Sequence, residues 1–186
     1  MKSEKTNLKD CWVLEPDVFE DERGYFYEGF NIRKFKDATG FDFDVKQINQ
    51  SRSAKGVLRG LHYQNGEKSQ AKLISCIEGE VLDVAVDLRK DSPTFGKYSM
   101  VRLSAHNKKH FYIPKGMAHG FLVLTDHAKL MYQVDELYSK EHDTGIMFND
   151  PELNISWGVP EDEIILSEKD QNLPLFKDAK IDLINV

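Results

Sequence analysis

An all-β fold, a sandwich or a barrel, is predicted by three features of the sequence. Short apolar runs recur roughly every ten residues, turn chemistry separates them, and few stretches are long enough for an amphipathic helix. The clearest strand lies at 81–88, where Leu82, Val84, Val86 and Leu88 alternate with Asp83, Ala85 and Asp87. That period of two predicts one face in the core and one polar face.

Further strands are expected at 25–30, 45–49, 56–64, 72–77, 97–103, 110–113, 119–124 and 130–137. Glu78-Gly79 suits a tight hairpin, and Asp91-Ser92-Pro93 and Thr125-Asp126-His127 suit short loops. In Pro114-Lys115-Gly116 the glycine supplies a positive φ. Helices are predicted to be short and peripheral. Asn31 caps one running through Lys36 to Gly40, and Ser139 caps another ending near Gly145. The charged segment after Gly158 is expected to pack over the barrel as a closing flap. With 186 residues and no linker, repeat or low-complexity tract, residues 1–186 read as one domain.

Composition narrows the function. Hydrophobic residues at 40% and charged residues at 30% describe a globular chain, and the net charge of -6 argues against a nucleic-acid binder, which needs clustered cations. A small phosphate ester needs only two or three cations in a pocket. The only cysteines, Cys11 and Cys76, form neither a C-x-x-C pair nor a disulfide framework, and the first residues lack a signal peptide's apolar core. No apolar stretch is long enough to cross a bilayer. The expectation is a reduced, cytoplasmic setting with no membrane partner.

Polar residues on faces that should be buried locate the chemistry. Lys72 shares its face with Ile74 and Cys76, His119 with Phe121 and Val123, and Tyr132 with Leu130 and Val134. In 56–64, His62 faces with Gly60 and Gln64, opposite Arg59, unless a bulge at Gly60 re-aims one of them. A barrel interior mixing such groups with aromatics suits a ligand. Each residue also has a plainer reading, as a hydrogen-bonded core histidine, a rim tyrosine or a solvated lysine. His106, His110, His127 and His142 lie in or near turns and are expected to be solvated. Glu20 to Arg23 and Glu161 to Glu163 read as solvated charge runs, Arg23 excepted.

Pro114-Lys115-Gly116-Met117-Ala118-His119 resembles the second half of a cupin metal motif. The first half, H-x-H with a carboxylate, is missing, since His62 has no partner two residues away. Two histidines make a poor first shell for Zn, Fe or Mn, so a metal-free cupin-like barrel is favoured.

Taken in order, Arg59-Gly60-Leu61-His62-Tyr63-Gln64, Gln70-Ala71-Lys72-Leu73, Gly79 to Arg89, Ser92-Pro93-Thr94-Phe95-Gly96, Ile113 to Phe121, Asn149-Asp150-Pro151 and Leu166 to Gln171 resemble the dTDP-4-dehydrorhamnose 3,5-epimerase family across nearly the whole chain. The resemblance implies a cupin-type jelly-roll barrel (double-stranded β-helix) with a few short peripheral helices. It also implies a homodimer, no cofactor, and epimerisation at C3 and C5, beside the C4 ketone of a dTDP-linked 4-keto sugar. It gives His62 the role of general base, Asp170 that of its supporting carboxylate, Tyr132 that of the acid on the opposite face, and Lys72 the place facing the C4 oxygen. Arg23, Glu28, Gln47, Asn49, Arg59 and His119 resemble the family's contacts to nucleotide, diphosphate and sugar. Asp143 and Lys169 complete the binding set, and Arg23 and Glu28 are expected to serve the partner's barrel.

Three positions depart from the family's usual pattern: Asp143 stands for Glu, Ala71 for Gly, and Ile48 for a polar residue. None removes a catalytic group, but they leave open the nucleotide and hexose and whether both carbons or one is inverted. A sugar-binding jelly roll without catalysis is the reading from a different class. It has little need for an acid and a base on opposing faces.

Overall fold

The structure, a computed structural model, describes residues 1–183. Its strands in chain order are β1 (Lys2–Lys5), β2 (Trp12–Glu15), β3 (Val18–Asp21), β4 (Gly24–Tyr27), β5 (Gln47–Ala54), β6 (Leu58–Gln64), β7 (Lys72–Glu78), β8 (Glu80–Asp87), β9 (Tyr98–Ser104), β10 (His110–Ile113), β11 (Met117–Val123), β12 (His127–Val134) and β13 (Asp143–Gly145). Two short α-helices, α1 (Ile32–Thr39) and α2 (Glu168–Gln171), lie outside them. A six-stranded sheet in the order β1-β2-β10-β7-β12-β5 faces a five-stranded sheet in the order β13-β6-β11-β8-β9, and β3-β4 form a separate hairpin. Every pairing within the sheets is antiparallel, as a jelly roll requires. No helix among the described residues is long and apolar enough to cross a membrane.

The apolar residues make three layers. Ile74, Cys76, Val81, Ala85, Phe111, Phe121 and Leu130 fill the space between the two sheets. Leu58, Leu61, Val84, Val86 and Leu88 cover the outer face of the five-stranded sheet, where Trp157, Phe176, Ile164 and Leu166 bury them. Phe35 and Phe43 pack on Tyr112 and Leu73, outside the six-stranded sheet. Residues after Gly158 therefore do cover the barrel, and a parallel bridge from Ile165 to Val57 helps to fasten them.

This layering corrects the reading of 81–88. Its period of two holds, but the expected polar face looks into the barrel and the expected core face looks outward under the C-terminal segment. Asp83 and Asp87 are both fully buried. Asp87 is saturated by Arg89, Ser92 and Thr94, which outweigh the cost of its burial and hold its carboxyl below the usual range.

Other expectations also shift. Asn31 caps α1 by accepting from the backbone N–H groups of Arg33 and Lys34, and Gly40 closes the helix at φ 81°. No helix follows Ser139: its hydroxyl bonds His142 Nδ1 instead, and Asp143–Gly145 pairs with β6 as an edge strand. The capping role falls to Ser167, which accepts from the Asp170 backbone N–H at the start of α2. His110 is not solvated but buried in β10, where burial pushes its imidazole down to about 4.

A bulge in β6 sets the site. Against β11, His62 pairs with His119 and Arg59 with Phe121, so three steps on β6 oppose two on β11. The extra residue turns both Arg59 and His62 inward. Gly60 makes this fit, since at φ 115° a Cβ would lie 2.6 Å from both Gly120 Cα and His119 O. Those atoms are backbone and cannot swing away. Gly60→Ala is expected to cost more than about 1 kcal/mol, read as a lower urea midpoint.

Candidate active site

A cavity of about 260 Å³ opens between the sheets, lined by Asn49, Ser51, Arg59, His62, Lys72, His119, Phe121 and Tyr132 among others. Each sheet contributes. Strand β6 brings Arg59 and His62, and β11 brings His119. From the opposing sheet, β7 brings Lys72 and β12 brings Tyr132, whose backbone partner on β5 is Asn49. Tyr132 and His62 thus approach one space from opposite walls.

The His62 imidazole bonds Asp170 Oδ1 through Nε2 at 2.6 Å, and Ser167 donates its hydroxyl to Asp170 Oδ2 at 2.9 Å. A carboxylate only accepts, so Nε2 carries the proton and Nδ1 keeps the lone pair. Burial raises the Asp170 pKa, but the bonds from His62 and Ser167 and the nearby charges outweigh it and hold the carboxyl below the usual range. Asp170 reaches this place because α2 begins at Ser167 and presents its buried residue to β6.

Tyr132 is the opposite case. Burial drives its phenol well above the ordinary value, with a hydrogen bond to Ser51 Oγ at 2.9 Å working against it. It therefore holds its proton throughout the neutral range. Burial pushes the Lys72 ammonium down to about 8, while the charges of Asp143 and Asp83 oppose that fall. Its Nζ lies 3.4 Å from the His62 carbonyl oxygen, the one hydrogen bond it makes among the described residues. His119 Nε2 bonds Asp83 Oδ1 at 2.9 Å, and its ring meets Tyr132 edge-on with centroids 6.1 Å apart. Arg59 is steadied by Ser53 through Nε at 3.0 Å.

The remaining predicted residues are spread more widely. Asp143 and Lys169 pair at 2.6 Å, and Tyr138 donates to the same Asp143 oxygen. Gln47 donates to Asn49 and accepts from the Tyr138 backbone N–H, so it holds the loop after β12 against β5. Arg23 and Glu28 stand apart from the cavity. Arg23 sits at the exposed tip of the β3-β4 hairpin, bound to Asp21, and Glu28 pairs with Lys34 and Asn31.

The sequence reading does not include Ser51, which lines the cavity, or Asp83, which bonds His119 behind it. Extending the strand read at 45–49 by one period would have placed Ser51 on the face of Asn49. Asp83 carried a usable signal, a carboxylate set in the otherwise apolar run 81–86. As for a metal, each cavity histidine already has its own carboxylate, and no group of three or more His, Cys, Asp or Glu converges among the described residues. A larger cavity of about 430 Å³, beside Asp10, Arg89 and Ser92, holds no comparable set, because Arg89 is already taken by Asp87 and Asp10.

An imidazole with a free lone pair, a neutral phenol facing it and an ammonium in the same cavity can move protons beside a carbonyl while stabilising its oxygen. Comparison with known proteins points the same way. Residues 5–178 match the dTDP-4-dehydrorhamnose 3,5-epimerase family. A Shigella flexneri dTDP-4-dehydrorhamnose 3,5-epimerase is 50% identical over 175 residues, covering 94% of this chain and 96% of its own. The crystal structure of an Elizabethkingia anophelis dTDP-4-dehydrorhamnose 3,5-epimerase is 57% identical with a TM-score of 0.92, over 96% of this chain and 97% of that one. A Legionella pneumophila dTDP-6-deoxy-D-glucose-3,5-epimerase, solved in complex with dTDP-4-keto-L-rhamnose, superposes with a TM-score of 0.94 at 41% identity, over 100% of this chain and 99% of that one.

Proposed function

Since the chain belongs to the dTDP-4-dehydrorhamnose 3,5-epimerase family and is an isomerase, we propose that it inverts C3 and C5 of a dTDP-linked 4-keto-6-deoxyhexose with His62 as base and Tyr132 as acid. The placement of those two side chains on facing walls, with Lys72 beside them, carries this reading. His62 Nδ1 takes the proton next to the ketone, and Asp170 stabilises the imidazolium that forms. Charge then develops on the C4 oxygen, where the Lys72 ammonium meets it. Such a preplaced cation acts on the transition state more than on the substrate. Tyr132 returns a proton from the other wall, which inverts the centre, whereas His62 alone would tend to return it to the face it came from.

Arg59, Asn49, His119, Gln47, Asp143 and Lys169 bind the substrate in this scheme, with the Arg59 guanidinium suited to the diphosphate. The hairpin β3-β4 supports a homodimer. It shows Phe19, Tyr25 and Phe26 to the outside, with Arg23 exposed at its turn, and none of these lines the cavity of its own chain. In a dimer, Arg23 and Glu28 would complete the neighbour's site. In this reading the protein acts without a cofactor, as one domain, in the cytoplasm.

Incubation with a dTDP-4-keto-6-deoxyhexose in deuterated water tests the reaction. Deuterium is expected at both C3 and C5. Label at one carbon alone would make this a single-site epimerase, and label at neither would refute the base assigned here.

A further inference from the structure

Behind the catalytic groups lies a carboxylate that the reaction scheme leaves unused. Asp83 is fully buried at the middle of β8 and looks into the barrel. One oxygen accepts from His119 Nε2 at 2.9 Å, while Oδ2, also buried, has no hydrogen-bond partner among the described residues. A buried carboxylate with a bare oxygen weakens a fold, and a residue chosen for packing alone would not be charged. The position has a different logic when its neighbours are considered. Burial raises the Asp83 pKa, and the charges of His119 and Lys72 are what oppose it. The same carboxylate is one of two that sustain the charge of Lys72, the other being Asp143.

We propose that Asp83 is a positioning residue for the epimerisation: its Oδ1 fixes the His119 ring, and its carboxylate balances the Lys72 ammonium inside an apolar barrel. The idea rests on the reading of Lys72 given above. Lys72 shares the cavity with Arg59 and His62 from β6, His119 from β11 and Tyr132 from β12, and the charges of Asp83 on β8 and Asp143 on β13 reach it. Tyr132 is neutral and His62 is occupied with Asp170, so the two acids are its negative neighbours. Asp143 is itself shared with Lys169 and Tyr138 near the surface. Asp83 is the one shut away from water, where its field is screened least.

Asp83→Asn keeps the shape and an acceptor for His119 while removing the charge, and three readouts on the full chain test it. NMR titration of the Lys72 side chain in the substrate-free protein is expected to show a pKa lower than that of the wild type titrated alongside. The alkaline limb of kcat/KM should move to lower pH with it, and kcat at neutral pH should fall by at least about tenfold. Thermal stability should be unchanged or higher, since an incompletely bonded buried charge has gone. An unmoved Lys72 titration would overturn the proposal, as would a variant whose loss of activity is matched by a loss of Tm. Because the NMR titration needs no turnover, it remains decisive even if the wild-type protein places no deuterium on the sugar, a result that would refute the epimerase reading instead. Asp83→Glu, charged but longer, should restore the Lys72 titration in part.

Discussion

Replacing His62 by Asn is expected to abolish deuterium incorporation at both carbons and to lower kcat by about 10² to 10⁴, the range a positioned general base supplies. The side chain is partly exposed at the cavity, and Asp170 keeps its bonds from the Ser167 hydroxyl and to its own helix start. The fold should therefore stand, and Tm should change little. Asp170 loses the partner that holds its carboxyl down, so its pKa should rise toward the ordinary value. Single-turnover exchange followed by NMR would check the rate. A variant that keeps exchanging at both positions would remove His62 from the chemistry. Exchange lost at one carbon only would mean that two different bases serve the two centres.

Lys72→Met carries the second large effect. The stem is conserved and the charge removed, and loss of one preorganised stabiliser of a developing oxyanion lowers kcat by about 10² to 10³. The wild-type protein should show the same dependence through pH. Burial depresses Lys72 to about 8, and the protonated form is the one that stabilises the oxygen, so kcat/KM should fall as pH rises through about 8. Stability should move the other way. Between about 8 and the ordinary lysine value near 10.5 the unfolded chain binds a proton that the folded one has released, so the Lys72 contribution favours the fold more as pH rises. Urea midpoints and rates measured across that window should diverge in the wild type and lose this divergence in Lys72→Met. A kcat/KM that stays level well past pH 8 would deny the ammonium its role.

The period of two on β7, β11 and β12 made Lys72, His119 and Tyr132 legible as inward-facing, because in an antiparallel barrel side-chain direction follows directly from strand parity. It could not by itself place His62 beside Arg59, since parity is broken by the extra residue at the bulge, and only Gly60 hinted at that. The same rule misled at β8. Alternation shows that two faces differ but not which is inside, and the outer face here is covered by a segment far away in sequence. Short exposed strands such as β1 and β3 were invisible, as they bury almost nothing and carry no pattern. The Ser139 turn was misread because a serine near a histidine can bond it and leave the backbone uncapped. Asp170 was legible only through resemblance. No local rule links it to a histidine 108 positions earlier.

That separation has a temporal consequence. A ribosome adding about 5 to 20 residues per second releases Asp170 roughly 5 to 20 s after His62. Before that interval ends every strand of the two facing sheets has been made, since β13 finishes at Gly145, yet the imidazole still has no anion behind it and the apolar outer wall lies bare. Docking of the tail shields the nascent chain from aggregation and primes the proton acceptor in a single event, so a chain cut short before Ser167 is released without a working base.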